Sequence, residues 1–363
     1  MQRVSNPVNI DENKLYYQIG IRSHSKGIFY KKAETGKQIG NKKIFWVESN
    51  CLILNIVFAW EQAVAKTSQK EIGMVVSHRF PMYKVLNNSL DYIVDFFKTE
   101  KGRQVLQMAS PGGAGRNKTL NQKFFLNSKV YLPSLKEQLI ISRFIALIEN
   151  RIETQIKIID DCISYRNAIV DYFFQSLSFD WKRVKLSNVL EEYTELHIKD
   201  NSIIHATLSK DGIFPKTDRY DRDFLVKNDD KKYKVTHLND ICYNPANLKF
   251  GVITRNTYGD CMISPIYITF KIKNDYLPKF IELLVTRKHF ILKARKYEQG
   301  TVYERMAVNS SDLLSMNILI PSLTIQKRIA DIINTIDIKI SNEQKLLNLY
   351  KAQKGYLLKN MFI

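Results

Sequence analysis

Leu132-Pro133-Ser134-Leu135-Lys136-Glu137-Gln138 returns 188 positions later as Ile320-Pro321-Ser322-Leu323-Thr324-Ile325-Gln326. The residues that follow repeat at the same offset. Ile141, Ile145, Ile148, Ile152, Ile159, Ile169 and Phe173 map onto Ile329, Ile333, Ile336, Ile340, Leu347, Leu357 and Met361. Steps of three, four and seven put each set on one face of a helix. The interruptions of the stripe also match: Gln155 with Glu343, Cys162 with Tyr350, Arg166 with Lys354. Each helix is predicted at about 38 residues, on the order of 57 Å at about 1.5 Å per residue, longer than a globular domain needs.

Pro133 and Pro321 stop the preceding strand, and Ser134 and Ser322 can cap the first exposed N–H groups. Ser134-Leu135-Lys136-Glu137 fits a capping box, which Ile325 breaks in the second copy. Stripes this apolar are expected to bury against each other. An antiparallel pairing is favoured, because more than a hundred residues of globular sequence separate the two helices.

The repeat runs backward into those globular parts. Lys26-Gly27-Ile28-Phe29 resembles Asp211-Gly212-Ile213-Phe214, and Asn50-Cys51-Leu52-Ile53-Leu54-Asn55 resembles Asn239-Asp240-Ile241-Cys242-Tyr243-Asn244. Gly112 pairs with Gly300 and Leu120-Asn121 with Val308-Asn309, leading into predicted strands Lys129-Val130-Tyr131-Leu132 and Asn317-Ile318-Leu319-Ile320. Runs such as Ile44-Phe45-Trp46-Val47 and Ile263 through Ile272 read as strands, and Leu90 to Phe97 and Pro278 to Val285 as matched short helices. The expected fold class is α+β: two pseudo-repeated mixed α/β modules, each followed by a long helix. The boundaries are 1–132 and 179–320 for the modules, 133–178 and 321–363 for the helices. Trp181-Lys182-Arg183-Val184-Lys185-Leu186 opens the second module with no equivalent before the first, so the first module is expected to begin short.

The 363 residues suit two domains or a little more, and 45% hydrophobic and 11% aromatic content supplies their cores. Lys and Arg number 55 against 36 Asp and Glu, a formal net charge of +19. Such an excess attracts a polyanion through its field and through counterion release, so nucleic acid is the leading partner. Cys51, Cys162, Cys242 and Cys261 lie far apart and form no zinc-ligand spacing with the histidines, which implies a reducing cytoplasm and no structural metal. The N-terminus has no signal-peptide core, and no stretch of about 18 apolar residues occurs, so no membrane association is expected.

Two enzyme motifs fail on inspection. Tyr243-Asn244-Pro245-Ala246 lacks the second proline and the aromatic of a base-flipping methyltransferase loop. Ser110 to Thr119 suggests a phosphate loop, yet Asn117 stands where a glycine must precede Lys118. His78 and His289 are isolated, and no Ser/His/Asp or metal constellation appears. Candidate DNA contacts lie instead in basic loops. They are Arg22, His24, Lys26, Lys66, Lys70, Arg116 and Lys118 in the first module, and Lys216, Arg219, Arg222, Lys249, Tyr303 and Arg305 in the second. Arg and Lys serve guanine edges and phosphates alike, so for any one of them a solvated surface role fits as well as a base contact.

Two modules, each ending in a Pro-Ser-Leu turn with Gln138 or Gln326 and an Ile/Leu-striped helix, resemble the specificity subunits of Type I restriction-modification systems over essentially the whole chain. The resemblance implies that each module is a target-recognition domain reading one half of an interrupted DNA sequence. The two conserved helices would form an antiparallel coiled coil that sets the unspecified gap and docks partners. Ile141, Ile145, Ile148, Ile152, Ile159, Ile169, Ile329, Ile333, Ile336, Ile340, Leu347 and Leu357 would carry that role. It further implies double-stranded DNA, two adenine methyltransferase subunits and restriction endonuclease/translocase subunits as partners. S-adenosylmethionine, ATP and Mg would be used by those partners, with no catalytic role and no cofactor for this chain. The open alternatives are the specificity module of another restriction or phage-defence assembly, and a coiled-coil scaffold that binds protein.

Overall fold

A computed structural model describes residues 1–112, 118–176, 181–198, 203–216, 232–299 and 306–362. The chain divides into two compact units, Met1–Ile158 with Glu343–Ile363, and Ile159–Asn342. Each long helix is cut by that division, so each unit holds one globular module with part of both helices.

The centre of unit 1 is an antiparallel four-stranded sheet in the order Gln2–Val4, Met82–Lys84, Leu52–Leu54, Val64–Lys66. Unit 2 carries Leu190–Tyr193, Ile268–Ile272, Ile241–Tyr243 and Ile253–Arg255 in the same order and sense. The Leu-Ile-Leu and Ile-Cys-Tyr strands are buried throughout, as interior strands covered on both faces must be, and Gln2–Val4 at the edge stays largely exposed. Asn50 and Asn239 precede these interior strands with φ of 52° and 75°, a left-handed conformation that Asn tolerates better than most residues.

A helix packs on each sheet. Leu90–Lys98 buries Tyr92, Ile93, Val94, Phe96 and Phe97, and starts where the Ser89 hydroxyl accepts the Tyr92 N–H. Pro278–Thr286 buries Phe280, Ile281, Leu283, Leu284 and Val285 and starts with proline, whose fixed φ suits the first helical position. Outside this shared frame the modules differ. Unit 2 has a five-stranded sheet ordered Leu196–Ile198, Lys232–Thr236, Cys261–Ile263, Ile204–Ser209, Gly212–Pro215, with one parallel pairing. Unit 1 has two-stranded ribbons, among them the hairpin Ile19–Ile21 with Ile28–Tyr30.

Two strand expectations need correction. Asn317–Ile320 pairs with Lys182–Lys185, whereas residues 129–132 form no strand because none lies alongside them among the described residues, and Tyr131 is 92% exposed. The run from Ile263 to Ile272 is two strands, Cys261–Ile263 and Ile268–Ile272, parted by a turn at Pro265 in which the Tyr267 N–H donates to the Ser264 carbonyl.

The long helices are Leu135–Ser176, with 42 residues, and Leu323–Asn360, with 38. The first is four residues longer than the repeat suggested. Its capping box forms: the Ser134 N–H and hydroxyl both donate to Glu137 Oε2, at 2.9 and 2.6 Å, and the Glu137 N–H reaches the Ser134 hydroxyl at 3.4 Å. Every stripe residue named above is buried or half-buried, among them Ile145, Ile148, Ile159, Ile329 and Ile333, which are buried. The two helices pack antiparallel. In unit 1, Glu149 meets Lys354, Arg151 lies over the Tyr350 ring and Gln155 meets Glu343, so numbers rise along one helix as they fall along the other.

Candidate nucleic-acid interface

The residues that tie each module to the helices come first, because they fix what the module can present. In unit 1, Lys354 donates to Glu149 at 2.6 Å, Lys98 lies 3.7 Å from the same carboxylate and 2.7 Å from Asp95. In unit 2, Arg166 and Lys279 hold Asp337 at 2.5 and 2.9 Å, Lys279 is 3.4 Å from Glu282, and Glu282 binds Arg255 at 3.0 Å. Glu149 and Asp337 occupy equivalent repeat positions, as do Lys354 and Arg166. The module lysine does not: Lys98 ends its helix and Lys279 stands near the start of its own. Burial raises the pKa of the Asp337 and Glu149 carboxyls, but the neighbouring cations more than offset it and hold both below the ordinary carboxylate value.

The matched interruption Gln155/Glu343 is a polar layer inside the coiled coil. Gln155 is buried, and its Nε2 donates to Glu343 Oε2 at 2.6 Å and to the Glu343 carbonyl at 3.2 Å. A polar pair of this kind disfavours every register that would set one member against an apolar side chain.

The candidate DNA residues fall into separate groups. Arg22, His24 and Lys26 are exposed at the tip of the Ile19–Ile21/Ile28–Tyr30 hairpin, where His24, Ser25 and Gly27 have positive φ. Arg22 lies 5.4 Å from the Phe29 ring centroid. Lys26, Lys66 and Lys70 line one cleft of about 1000 Å³ against the first long helix, which contributes Arg143, Glu149 and Glu153. Arg22 and His24 are not among its lining residues. Lys66 is already paired with Asp91 at 2.7 Å, in a half-exposed contact of the kind that contributes little. Lys118 sits 5.1 Å from the Trp60 ring. In unit 2, Lys216 follows the strand Gly212–Pro215 with its Nζ 3.2 Å from His205 Nε2, and Lys249 lies over Phe250. Arg116, Arg219, Arg222, Tyr303 and Arg305 lie outside the described residues.

Asn244 takes a structural role. Its Oδ1 accepts the Ala246 and Asn247 N–H groups just past the strand, and Asn55 does the same for Val57 in unit 1. Those bonds occupy the side-chain oxygen that would have to face a base.

One basic cluster escaped the sequence reading. Arg183, Arg287, His289 and Lys293 line a pocket of about 420 Å³ with Phe174 and Trp181 in unit 2. Arg183 comes from the strand unmatched in the first module, and Arg287 and His289 from the turn into Lys288–Ala294, so no single stretch of sequence displays the group. Among the described residues no group of three or more His, Cys, Asp or Glu is placed to hold a metal ion. No described helix is long and apolar enough to cross a membrane.

Known structures share this fold along nearly the whole chain. The HsdS subunit from Thermoanaerobacter tengcongensis superposes with a TM-score of 0.51 at 14% identity, over 99% of this chain and 93% of that one. The S subunit of a Type I restriction-modification system from M. genitalium gives 0.54 at 11% identity, over 99% of both chains. The fold is that of a Type I S subunit. A third structure, described as concerning complex assembly and conformational transition of the type I R-M system, gives 0.64 at 12% identity over 99% of this chain and 94% of that one. No family model matches the sequence, and neither does any curated protein.

Proposed function

We propose that this chain is the sequence-reading, non-catalytic specificity subunit of a Type I restriction-modification complex. It would recognise an interrupted DNA target, one half per module, and direct adenine methylation and restriction by partner subunits. The observation that carries this reading is the duplication itself: two modules with the same sheet order, each tied to an antiparallel helix pair through equivalent positions. Two similar but diverged reading heads on a stiff spacer suit a target of two different half-sites with a fixed gap. The net charge of +19 suits a polyanionic partner. In this reading two methyltransferase subunits and the endonuclease/translocase dock on the complex, and S-adenosylmethionine, ATP and Mg belong to them.

The test is co-expression with a cognate adenine methyltransferase and genome-wide mapping of methylated adenine. A two-part motif with a fixed gap, one half of which changes when one module is exchanged, is expected. A stable complex that methylates without a motif would remove the specificity role and leave a scaffold.

A further inference from the structure

The first turn of each long helix carries a buried glutamine that does the same thing twice. Gln138 and Gln326 are both 1% exposed. The Gln138 Oε1 accepts the Ser89 backbone N–H at 3.0 Å, and its Nε2 donates to the Pro133 carbonyl at 2.9 Å and to Asn88 Oδ1 at 2.8 Å. Gln326 Oε1 accepts the Leu277 N–H at 2.9 Å, and its Nε2 donates to the Pro321 carbonyl at 3.0 Å. Ser89 and Leu277 are the residues immediately before the module helices Leu90–Lys98 and Pro278–Thr286. Ser89 and Pro133 are thus displaced by the same 188 positions as the glutamines, while the Asn88 bond is found in the first copy alone among the described residues.

We propose that Gln138 and Gln326 are positioning residues that hold each module at a fixed angle on its long helix, and thereby set how strictly the gap between half-sites is enforced. This rests on the specificity reading above. One carboxamide joins the entry turn of the long helix to the start of the module helix, so rotation of the module about that turn breaks the Ser89 and Asn88 bonds in unit 1 and the Leu277 bond in unit 2. It would also leave a buried N–H unsatisfied, with its desolvation uncompensated. The other polar ties at the joint are side chain to side chain, Ser89 with Ser142 at 3.5 Å, Lys98 with Glu149 at 3.7 Å and Lys279 with Asp337 at 2.9 Å, and the lysines among them can follow a small tilt by changing rotamer, whereas a carboxamide bound to backbone cannot. A module of this size has a radius on the order of 15 Å. With the hinge at its edge, a tilt of about 6–7° therefore moves its far side, about 30 Å away, by roughly one base-pair step of about 3.4 Å. Helix length sets the gap, and the clasp sets its tolerance.

The experiment uses the full chain with its methyltransferase partner and reads the methylated motif of wild type, Gln138→Leu, Gln326→Leu and the milder Asn88→Ala. Each Leu variant is expected to methylate sites whose gap is one base pair longer or shorter at least ten times more often than wild type, with the bases of both half-sites unchanged. Asn88→Ala should relax the gap to a smaller degree, and it carries the test if a Leu variant does not fold. Amide exchange of the free chain gives a second readout: Ser89 should exchange at least ten times faster in Gln138→Leu, with Leu277 unchanged. Lower methylation at every site with the gap distribution untouched would show the glutamines to be merely structural and overturn the inference. A wild-type complex that yields no two-part motif would overturn the specificity reading, and this inference with it.

Discussion

Removing the Phe174 ring should loosen unit 2 by an amount its surroundings define. The side chain is 8% exposed, stacks on Phe280 at 5.3 Å and 21°, and meets Trp181 edge-on at 5.2 Å. The Arg287 guanidinium covers it at 4.1 Å. Truncating a buried Phe costs about 3–5 kcal/mol, a range that includes lost ring contacts worth about 0.5–1.5 kcal/mol each. Phe174→Ala is therefore expected to cost about 4 kcal/mol, a large share of the roughly 5–15 kcal/mol that holds a domain together. With a urea dependence of about 2–3 kcal/mol per M, the unfolding midpoint falls by roughly 1–2 M. Trp181 reports it directly, because Trp46 and Trp60 both lie in unit 1 and Trp181 packs against the deleted ring. Phe362, the repeat equivalent, stacks on Tyr92 at 4.8 Å, so Phe362→Ala should cost unit 1 a similar amount. A midpoint shift below about 0.3 M for Phe174→Ala would mean that the end of the first long helix is not anchored as the geometry requires.

Further expectations follow from the same structure. Asp337 and Glu149 are held below the ordinary carboxylate value, so their contribution is complete above about pH 4 and is lost as pH falls through the depressed values; Asp337→Asn should flatten the acid limb of a stability-versus-pH curve, and an unchanged limb would refute a stabilising role for the Arg166–Asp337–Lys279 cluster. Burial pushes the Cys242 thiol up to about 12 and the Cys261 thiol to about 11, and raises Cys51, while Cys162 is half-exposed on its helix. A thiol reagent should accordingly modify one cysteine quickly in the native chain, identified by peptide mapping as Cys162. Ile325→Glu restores the glutamate of the capping box at a position 40% exposed and should raise the melting temperature by a few degrees, as expected for about 0.5–1 kcal/mol. On the proposed reading, DNA affinity of the complex should fall steeply with salt, with a log–log slope near the number of phosphates contacted, and Lys70→Ala should lessen that slope more than Lys66→Ala, because Lys66 is already paired with Asp91.

Much of this fold was legible because the chain states it twice. A stripe of Ile and Leu at helical spacing is ambiguous alone, but its return at a constant offset separated pattern from accident and placed both long helices. The offset also marked Gln155, Glu343, Arg166 and Lys354 as meaningful interruptions before their partners were known. It was silent where the two copies solve one problem differently. Lys98 and Lys279 reach equivalent carboxylates from opposite ends of equivalent helices, so no alignment pairs them. Residues 129–132 read as a strand from composition, yet a strand exists only where another lies beside it. The basic pocket around Arg287 assembles from four separated segments, and the candidate DNA residues left no periodic signal at all.

The division of the long helices between units bears on how the molecule comes to exist. Unit 2 is one continuous stretch, Ile159–Asn342, whereas unit 1 needs residues from 343 onward to complete its core with Leu358, Met361 and Phe362. On the ribosome the module made first is therefore the one finished last. Its helical stripe and the face of Tyr92 stay uncovered while nearly two hundred further residues are translated, on the order of ten seconds or more at about 5–20 residues per second. An exposed apolar helix of that lifetime invites chaperones, and the core of unit 1 closes only once the end of the second long helix has been made.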